Sequence, residues 1–433
     1  MTPTITGFVG IGILLIILFS RMPIGFGMGL IGFLGFAYLV GFGPALGLLK
    51  TVPYSTFSSH SLSVIPLFIL MGAFAFSAGL SRDLYQAAYK WLGHLRGGLA
   101  MATVGACACF AAISGSSMAT AATMGTVALP EMKKYKYDPA LATGAVAAGG
   151  SMGILIPPSV ILIIYGIITE QSIGKLFLAG FIPGVMEAVF YMLVIALMTR
   201  FKPQLGPRGP QTDIFEKLKA LARTWEVLTL FIIVIGGIYV GIFTPTEAAG
   251  IGAFGAFIFA VGKKRLTWSA FKGSLSSSIR TSVMVFTIIL GAMLLGYFLT
   301  VTRIPFDLAG YVSGLQLNRY VILILILLTF IVLGCVIETM AIILLTVPIF
   351  FPLIVQLGFD PIWFGILVVR ATEIGLLTPP VGLNVFVIKG VAPDVPIGTI
   401  FRGILPFLIA DLCHVAVLIA FPQLTLFLPG MMR

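Results

Sequence analysis

Two stretches of this sequence set oxygen-bearing residues among helix breakers in the middle of apolar runs. Gly149-Gly150-Ser151-Met152-Gly153 is followed by Pro157-Pro158-Ser159, and Glu373-Ile374-Gly375 by Thr378-Pro379-Pro380 and Gly382-Leu383-Asn384. Glycine weakens a helix and each proline removes an amide donor, so neither stretch should stay helical throughout. Backbone groups freed in hydrocarbon are expensive unless they line a cavity or hold an ion. Freed carbonyls with Ser, Thr and Asn oxygens are hard ligands that suit sodium, whereas the amino termini of half-helices favour an anion. Plain proline kinks in packed helices are the simpler alternative.

Two more polar interruptions lie at Ser114-Gly115-Ser116-Ser117 and between Gly334 and Glu338-Thr339. Small residues in an apolar segment usually serve helix packing. At the tip of a hairpin they would instead be ligands, and Glu338 could alternatively face water. Arg370 and Glu373 fall inside an apolar span, three residues apart, where they can pair on one helix face or meet a carboxylate substrate. Glu187, Asp411 and His414 read as interhelical partners. Thr244-Pro245-Thr246-Glu247 has the form of a capping box with proline at the first helical position. Cys107, Cys109, Cys335 and Cys413 show no metal-ligand spacing and read as buried fillers. No Ser/His/Asp order, HExxH or P-loop appears, so hydrolysis and ATP-driven transport have no foothold.

The elements that must carry these residues are membrane helices. Of 433 residues 59% are hydrophobic and only 9% charged, against about 25% in a globular chain, so the bulk of the protein belongs in lipid. The net charge of +11 falls in short clusters between apolar runs, which suits topology better than nucleic acid. The first apolar run, Ile5 to Phe19, lacks a basic flank and a cleavage site, and reads as a retained span. Full spans are expected near 3–20, 23–42, 63–80, 139–169, 173–199, 225–243, 246–262, 281–301, 361–390 and 402–425. Residues 98–130 and 320–352 each suit a re-entrant hairpin, although a pair of full spans would give the same hydropathy.

Cation-rich loops alternate with sparse ones. The rich set holds Arg21; Arg82, Lys90 and Arg96; Lys133, Lys134 and Lys136; six cations in 200–223; and Lys263, Lys264, Arg265 and Lys272. The sparse set holds Lys50, Lys175, Arg303 and Arg319, with Arg433 at the end. With both hairpins this parity places the amino terminus outside and the rich loops in the cytoplasm. Leu84, Ala88, Trp91, Leu92 and Leu95 suit a helix lying in the membrane plane, and Trp268, Phe271, Leu275 and Ile279 repeat the pattern more weakly. Lys202 to Pro210 reads as the one obvious linker.

An offset of 222 superposes Pro130, Asp138, Pro139, Val146, Gly153, Leu155, Pro157 and Pro158 on Pro352, Asp360, Pro361, Val368, Gly375, Leu377, Pro379 and Pro380. Eight identities in 29 positions, with opposite orientations by charge, indicate an inverted-topology repeat. The expected division is a first repeat over 1–172, a connecting span and loop over 173–223, a second repeat over 224–395 and a terminal span over 396–433. The fold class expected is therefore all-α and polytopic, with inverted repeats, two re-entrant hairpins and two broken helices.

With these residues in hand, the chain resembles the large membrane subunit of the tripartite ATP-independent periplasmic (TRAP) transporters over nearly its whole length. The carrying motifs are Ile113-Ser114-Gly115-Ser116-Ser117, Gly153-Ile154-Leu155-Ile156-Pro157-Pro158-Ser159, Thr244-Pro245-Thr246-Glu247 and Gly375-Leu376-Leu377-Thr378-Pro379-Pro380-Val381-Gly382-Leu383-Asn384. The resemblance implies a sodium-driven importer of small organic acids in a bacterial inner membrane, working as an elevator without another cofactor. It also implies a separate small four-helix membrane subunit and a periplasmic substrate-binding protein as partners. Candidate sodium ligands are Ser114, Gly115, Ser116, Ser117, Gly150, Ser151, Gly153, Gly334, Glu338, Thr339, Gly375 and Thr378. Candidate substrate contacts are Pro157, Ser159, Arg370, Glu373, Pro379 and Asn384. A stand-alone sodium/dicarboxylate symporter of the divalent-anion superfamily is similar in architecture, but its usual Ser-Asn-Thr hairpin tips are absent here. An intramembrane enzyme would need a catalytic dyad, and the sequence offers none.

Overall fold

The computed structural model describes residues 2–20, 22–314 and 317–432. Arg21 and Arg433, used in the charge pattern, lie outside the described residues. The described chain is all-helical. Its first elements are α1 (Pro3–Phe19), α2 (Ile24–Val40), α3 (Phe42–Phe57), α4 (Val64–Ser77) and α5 (Leu80–Leu92). Then come α6 (Gly98–Ser114), α7 (Ser117–Lys134), α8 (Pro139–Ser151), α9 (Val160–Thr169), α10 (Ile173–Phe201) and α11 (Ile214–Ala222). The second half runs α12 (Trp225–Phe231), α13 (Gly237–Val240), α14 (Pro245–Gly262), α15 (Trp268–Thr302) and α16 (Ile304–Gly314). It closes with α17 (Arg319–Gly334), α18 (Thr339–Gln356), α19 (Pro361–Leu377), α20 (Leu383–Val391), α21 (Ile397–Ala420) and α22 (Gln423–Met431).

Two packed groups emerge. In one, α15 runs along α2 and α4, and α4 packs on α14. Glycine permits the α2–α15 approach: a methyl carbon on Gly25 would stand 2.5 Å from the Thr287 carbonyl oxygen. In the other group α8 packs on α6, α7 and α21, while α19 packs on α17, α18, α10 and α21. The groups meet where α5 and α4 pack on α6 and where α15 touches α18.

Six helical stretches among the described residues are long and apolar enough to cross a membrane: His60–Ser77, Ile173–Phe201, Pro245–Gly262, Trp268–Thr302, Thr339–Gln356 and Ile397–Ala420. The expected spans at α1 and α2 are apolar but have only 17 residues each. Several boundaries need correcting. The weak in-plane pattern around Trp268 and the span at 281–301 form one continuous 35-residue helix, α15. Ser and Thr residues lower the hydropathy of its first half, but each keeps its backbone N–H, so the helix continues through them. Helices α3, α11, α16 and α22 have no counterpart in the expected set. The stretch Lys202 to Pro210 is not a free linker. Gly97 N donates to Gly206 O at 2.8 Å, Gly209 N to Gly93 O at 2.8 Å and Asp138 N to Leu205 O at 3.0 Å, which pins it beside α5 and α6.

Helix α5 is amphipathic as expected, although it ends at Leu92, so Leu95 lies in the following turn. Its Lys90 Nζ donates to Glu216 Oε2 at 2.7 Å and its Trp91 Nε1 to Lys217 O at 3.2 Å, both toward α11. Asp83 on α5 binds Lys263 at 2.7 Å and Arg265 at 3.2 Å, tying it to the turn before α15. Of the four cysteines, Cys107 and Cys335 are buried, but Cys109 and Cys413 lie on the outer surface. Nothing in an apolar run distinguishes a position facing other helices from one facing outward.

Candidate functional site

Both sequence breaks and both polar interruptions become local structure. Arms α6 and α7 pack on each other around Gly115 and Ser116, and α17 and α18 around 335–338. Gly115 takes φ +58°, a left-handed conformation that suits glycine at the first tip. Ser116 then caps α7, its Oγ accepting from Ala119 N at 3.4 Å. The broken helices are α8–α9, interrupted over 152–159, and α19–α20, interrupted over 378–382.

The matched aspartates perform the same task in each half. Asp138 Oδ1 accepts from Ala140 N at 2.9 Å and Leu141 N at 3.2 Å, starting α8. Asp360 Oδ1 accepts from Ile362 N at 2.8 Å and Trp363 N at 3.0 Å, starting α19. Each leaves a proline at the first helical position, where its missing N–H is harmless.

A cavity of about 570 Å³ lies between the two hairpin tips and the helices α4 and α15. Ser114, Gly115, Ser116 and Ser117 enter it from the first tip, and Glu338 and Thr339 from the second. The first turns of α7, α9 and α18 reach it through Ser117, Val160 and Thr339, so three helix amino termini face one space. Such termini favour negative charge. Thr339 Oγ1 is buried without a hydrogen-bond partner, whereas Ser114 Oγ and Thr120 Oγ1 lie 2.6 Å apart.

Sequence reasoning missed the opposite wall. Ser274, Ser277, Ser278 and Thr281 of α15 line the cavity with Ser77 of α4. Their spacing on one helix face was legible in the sequence; their position beside the tips was not.

The remaining candidates lie outside the cavity lining. Gly150 and Gly153 are packing positions: a methyl carbon would stand 2.5 Å from Ala121 Cβ and 2.6 Å from Ser116 O, respectively. Gly334 and Gly375 pack on one another. Ser151 Oγ donates to Ala148 O at 2.6 Å, and Thr378 Oγ1 to Ile374 O at 2.6 Å. Ser159 caps α9, accepting from Leu162 N at 3.3 Å and donating to Ile154 O at 2.5 Å. Pro157 and Pro379 sit in the two breaks, each joined to the next proline by a cis bond. Asn384 is fully buried; its Nδ2 reaches Ala147 O at 3.4 Å, linking α20 to α8.

Arg370 and Glu373 do pair, and they draw in the residues read as interhelical partners. Arg370 Nη1 donates to Glu373 Oε2 and lies 2.7 Å from Glu187 Oε1, while Nη2 donates to Asp411 Oδ1 at 2.7 Å. Tyr191 OH also donates to Asp411 Oδ1 at 2.7 Å, and His414 packs against the Phe190 ring. All four charged groups are buried. The cluster therefore joins α10, α19 and α21 away from the cavity. Thr244 accepts from Glu247 N at 3.3 Å and its own N–H donates to Glu247 Oε2 at 2.8 Å, the expected capping box. No cluster of His, Cys, Asp and Glu suited to a metal occurs among the described residues.

Paired hairpins and paired broken helices around one cavity define the architecture of a membrane transporter. The solved YdaH transporter of Alcanivorax borkumensis shares this fold with a TM-score of 0.58 at 16% identity, over 88% of this chain and 90% of that one. Residues 11–424 match the model of the family described as "Tripartite ATP-independent periplasmic transporter, DctM component", and the chain belongs to that family. It is 40% identical to the C4-dicarboxylate TRAP transporter large permease protein DctM of Pseudomonas aeruginosa, over 87% of this chain and 88% of that protein. It is 33% identical to the sialic acid TRAP transporter large permease protein SiaM of Vibrio cholerae, over 99% and 98%.

Proposed function

We propose that this chain is the sodium-coupled transport subunit of a binding-protein-dependent importer of small organic acids. The observation that carries the reading is the cavity itself: two hairpin tips and three helix amino termini converge there among hydroxyl oxygens. Amino termini supply partial positive charge for a carboxylate, and neutral oxygens supply ligands for sodium. Relatives in C4-dicarboxylate and sialic acid transport support an acid as cargo.

The chain works in a bacterial inner membrane with its amino terminus on the periplasmic side. A separate four-helix subunit docks on the α1–α5 and α14–α15 group, and a periplasmic binding protein delivers the acid. The hairpin group, with both tips at one cavity, moves as an elevator past the other. The test is cysteine crosslinking between a hairpin arm and the 225–243 stretch. Two registers at different depths are expected in different transport states. A single register that forms without blocking uptake would rule out the elevator.

A further inference from the structure

A second cavity, of about 310 Å³, lies at the joint of α11 and α12, where Asp83, Arg223, Trp225, Glu226, Lys263 and Arg265 line it. Three cations against two carboxylates leave it with a positive excess. Lys263 is committed, 2.7 Å from Asp83 and 3.1 Å from Glu226. The arginines are freer. Arg265 Nη1 donates to Ala78 O at 2.8 Å and to Asp83 Oδ2 at 3.2 Å, but its Nε and Nη2 have no protein acceptor among the described residues. The exposed Arg223 side chain has no ion pair among the described residues. Two planar forks of donors at one opening suit the oxygens of a phosphate.

The surroundings set the depth of this cavity in the membrane. Helix α11 exposes Ile214, Phe215, Leu218 and Leu221, and it meets the apolar stretch that begins with α12 at a 47° bend. An amphipathic helix leading into an apolar one lies at the boundary of headgroups and acyl chains. Trp225 and Trp268 are both exposed beside it, as tryptophans are at membrane interfaces. Beyond the cavity α12 and α14 pack on each other and expose Leu228, Ile232, Ile258 and Val261. Cations therefore stand at headgroup depth over an apolar surface.

We propose that this corner seats an anionic phospholipid, with its phosphate between Arg223 and Arg265 and its acyl chains along α12 and α14. Basic pockets between membrane helices, on the side that carries the cation-rich loops, hold such headgroups. Arg265 is set in place for the task. Gly79, at φ +70°, leaves room where a methyl carbon would collide with Arg265 Nη1. A zwitterionic phospholipid brings the same phosphate, but its own cation meets a positive excess whose two carboxylates Lys263 already engages. The corner therefore selects a lipid of net negative charge. A soluble phosphate would leave the apolar surface of α12 and α14 unused, which favours the lipid as the source of the phosphate.

The test titrates the delipidated full chain with phosphatidylglycerol and with phosphatidylcholine of the same acyl chains, read by native mass spectrometry. The first phosphatidylglycerol is expected to bind about fivefold tighter or more. Arg223→Gln should weaken it about fivefold and leave phosphatidylcholine unchanged, as loss of one cation beside a headgroup implies. Adding Arg265→Gln should abolish the preference. Arg265 also holds the Ala78 carbonyl, so Arg223→Gln alone carries the comparison if the double variant folds poorly. Equal binding of the two lipids, or phosphatidylglycerol affinity indifferent to Arg223→Gln, overturns the site. Displacement of the lipid by inorganic phosphate at equal concentration makes the cavity a soluble-anion site, and displacement by the small subunit makes it part of that interface. Either result overturns the lipid.

Discussion

Gly375 packs on Gly334 so closely that a methyl carbon on Gly375 would stand 2.5 Å from the Gly334 Cα. Gly153, its counterpart at the offset of 222, holds the other hairpin in the same way, against the Ser116 carbonyl. In each half a glycine seats the hairpin turn on the end of a broken helix. Gly153→Ala and Gly375→Ala should each destabilise the protein by about 1–3 kcal/mol through overpacking. Thermal unfolding in detergent measures this, and unchanged unfolding in both variants would show that the tips shift freely.

Arg370 sits among three carboxylates with no access to solvent. Replacing it with leucine strands those groups and should lower stability by about 3–5 kcal/mol, enough to reduce membrane abundance. Glu373→Gln keeps a partner for the guanidinium and should be milder. Normal abundance and unfolding for Arg370→Leu would remove the cluster's structural role.

The tip hydroxyls and the break hydroxyls should behave differently. Ser116 and Thr339 face the cavity, whereas Ser151 and Thr378 donate to carbonyls of their own helices. Ser116→Ala and Thr339→Ala are expected to raise the sodium concentration for half-maximal uptake severalfold, with abundance intact. Ser151→Ala and Thr378→Ala should change it less. Equal sodium dependence across all four variants would place the ion elsewhere.

The box that starts α14 is a helix cap. The backbone N–H of Thr244 and its hydroxyl both donate to Glu247 Oε2 at 2.8 Å, and Glu247 N donates back to Thr244 Oγ1 at 3.3 Å. Thr244→Ala should remove about 0.5–2 kcal/mol of stability. Unfolding midpoints of the variant and parent check this, and equal midpoints would contradict the box.

Much of this arrangement was legible in the sequence because helix breakers are local. Pro157-Pro158 and Pro379-Pro380 interrupt helices wherever they are placed, and Asp138 and Asp360 cap through neighbours two and three residues away. The partners of Arg370 were not legible, because Glu187 and Asp411 reach it from other helices. The α15 wall was hidden for the same reason. A row of serines looks alike whether it packs against a helix or faces a cavity, and only the position of the tips separates the two. Helix α15 was divided in two because hydropathy registers polarity, whereas a helix ends only when its backbone does.

Sodium dependence of uptake tests the central claim most directly. Proteoliposomes holding this chain with its small subunit and binding protein should take up their organic acid when sodium is present outside. Uptake should collapse when potassium or choline replaces it. Undiminished uptake after that exchange, driven by a proton gradient alone, would contradict the account.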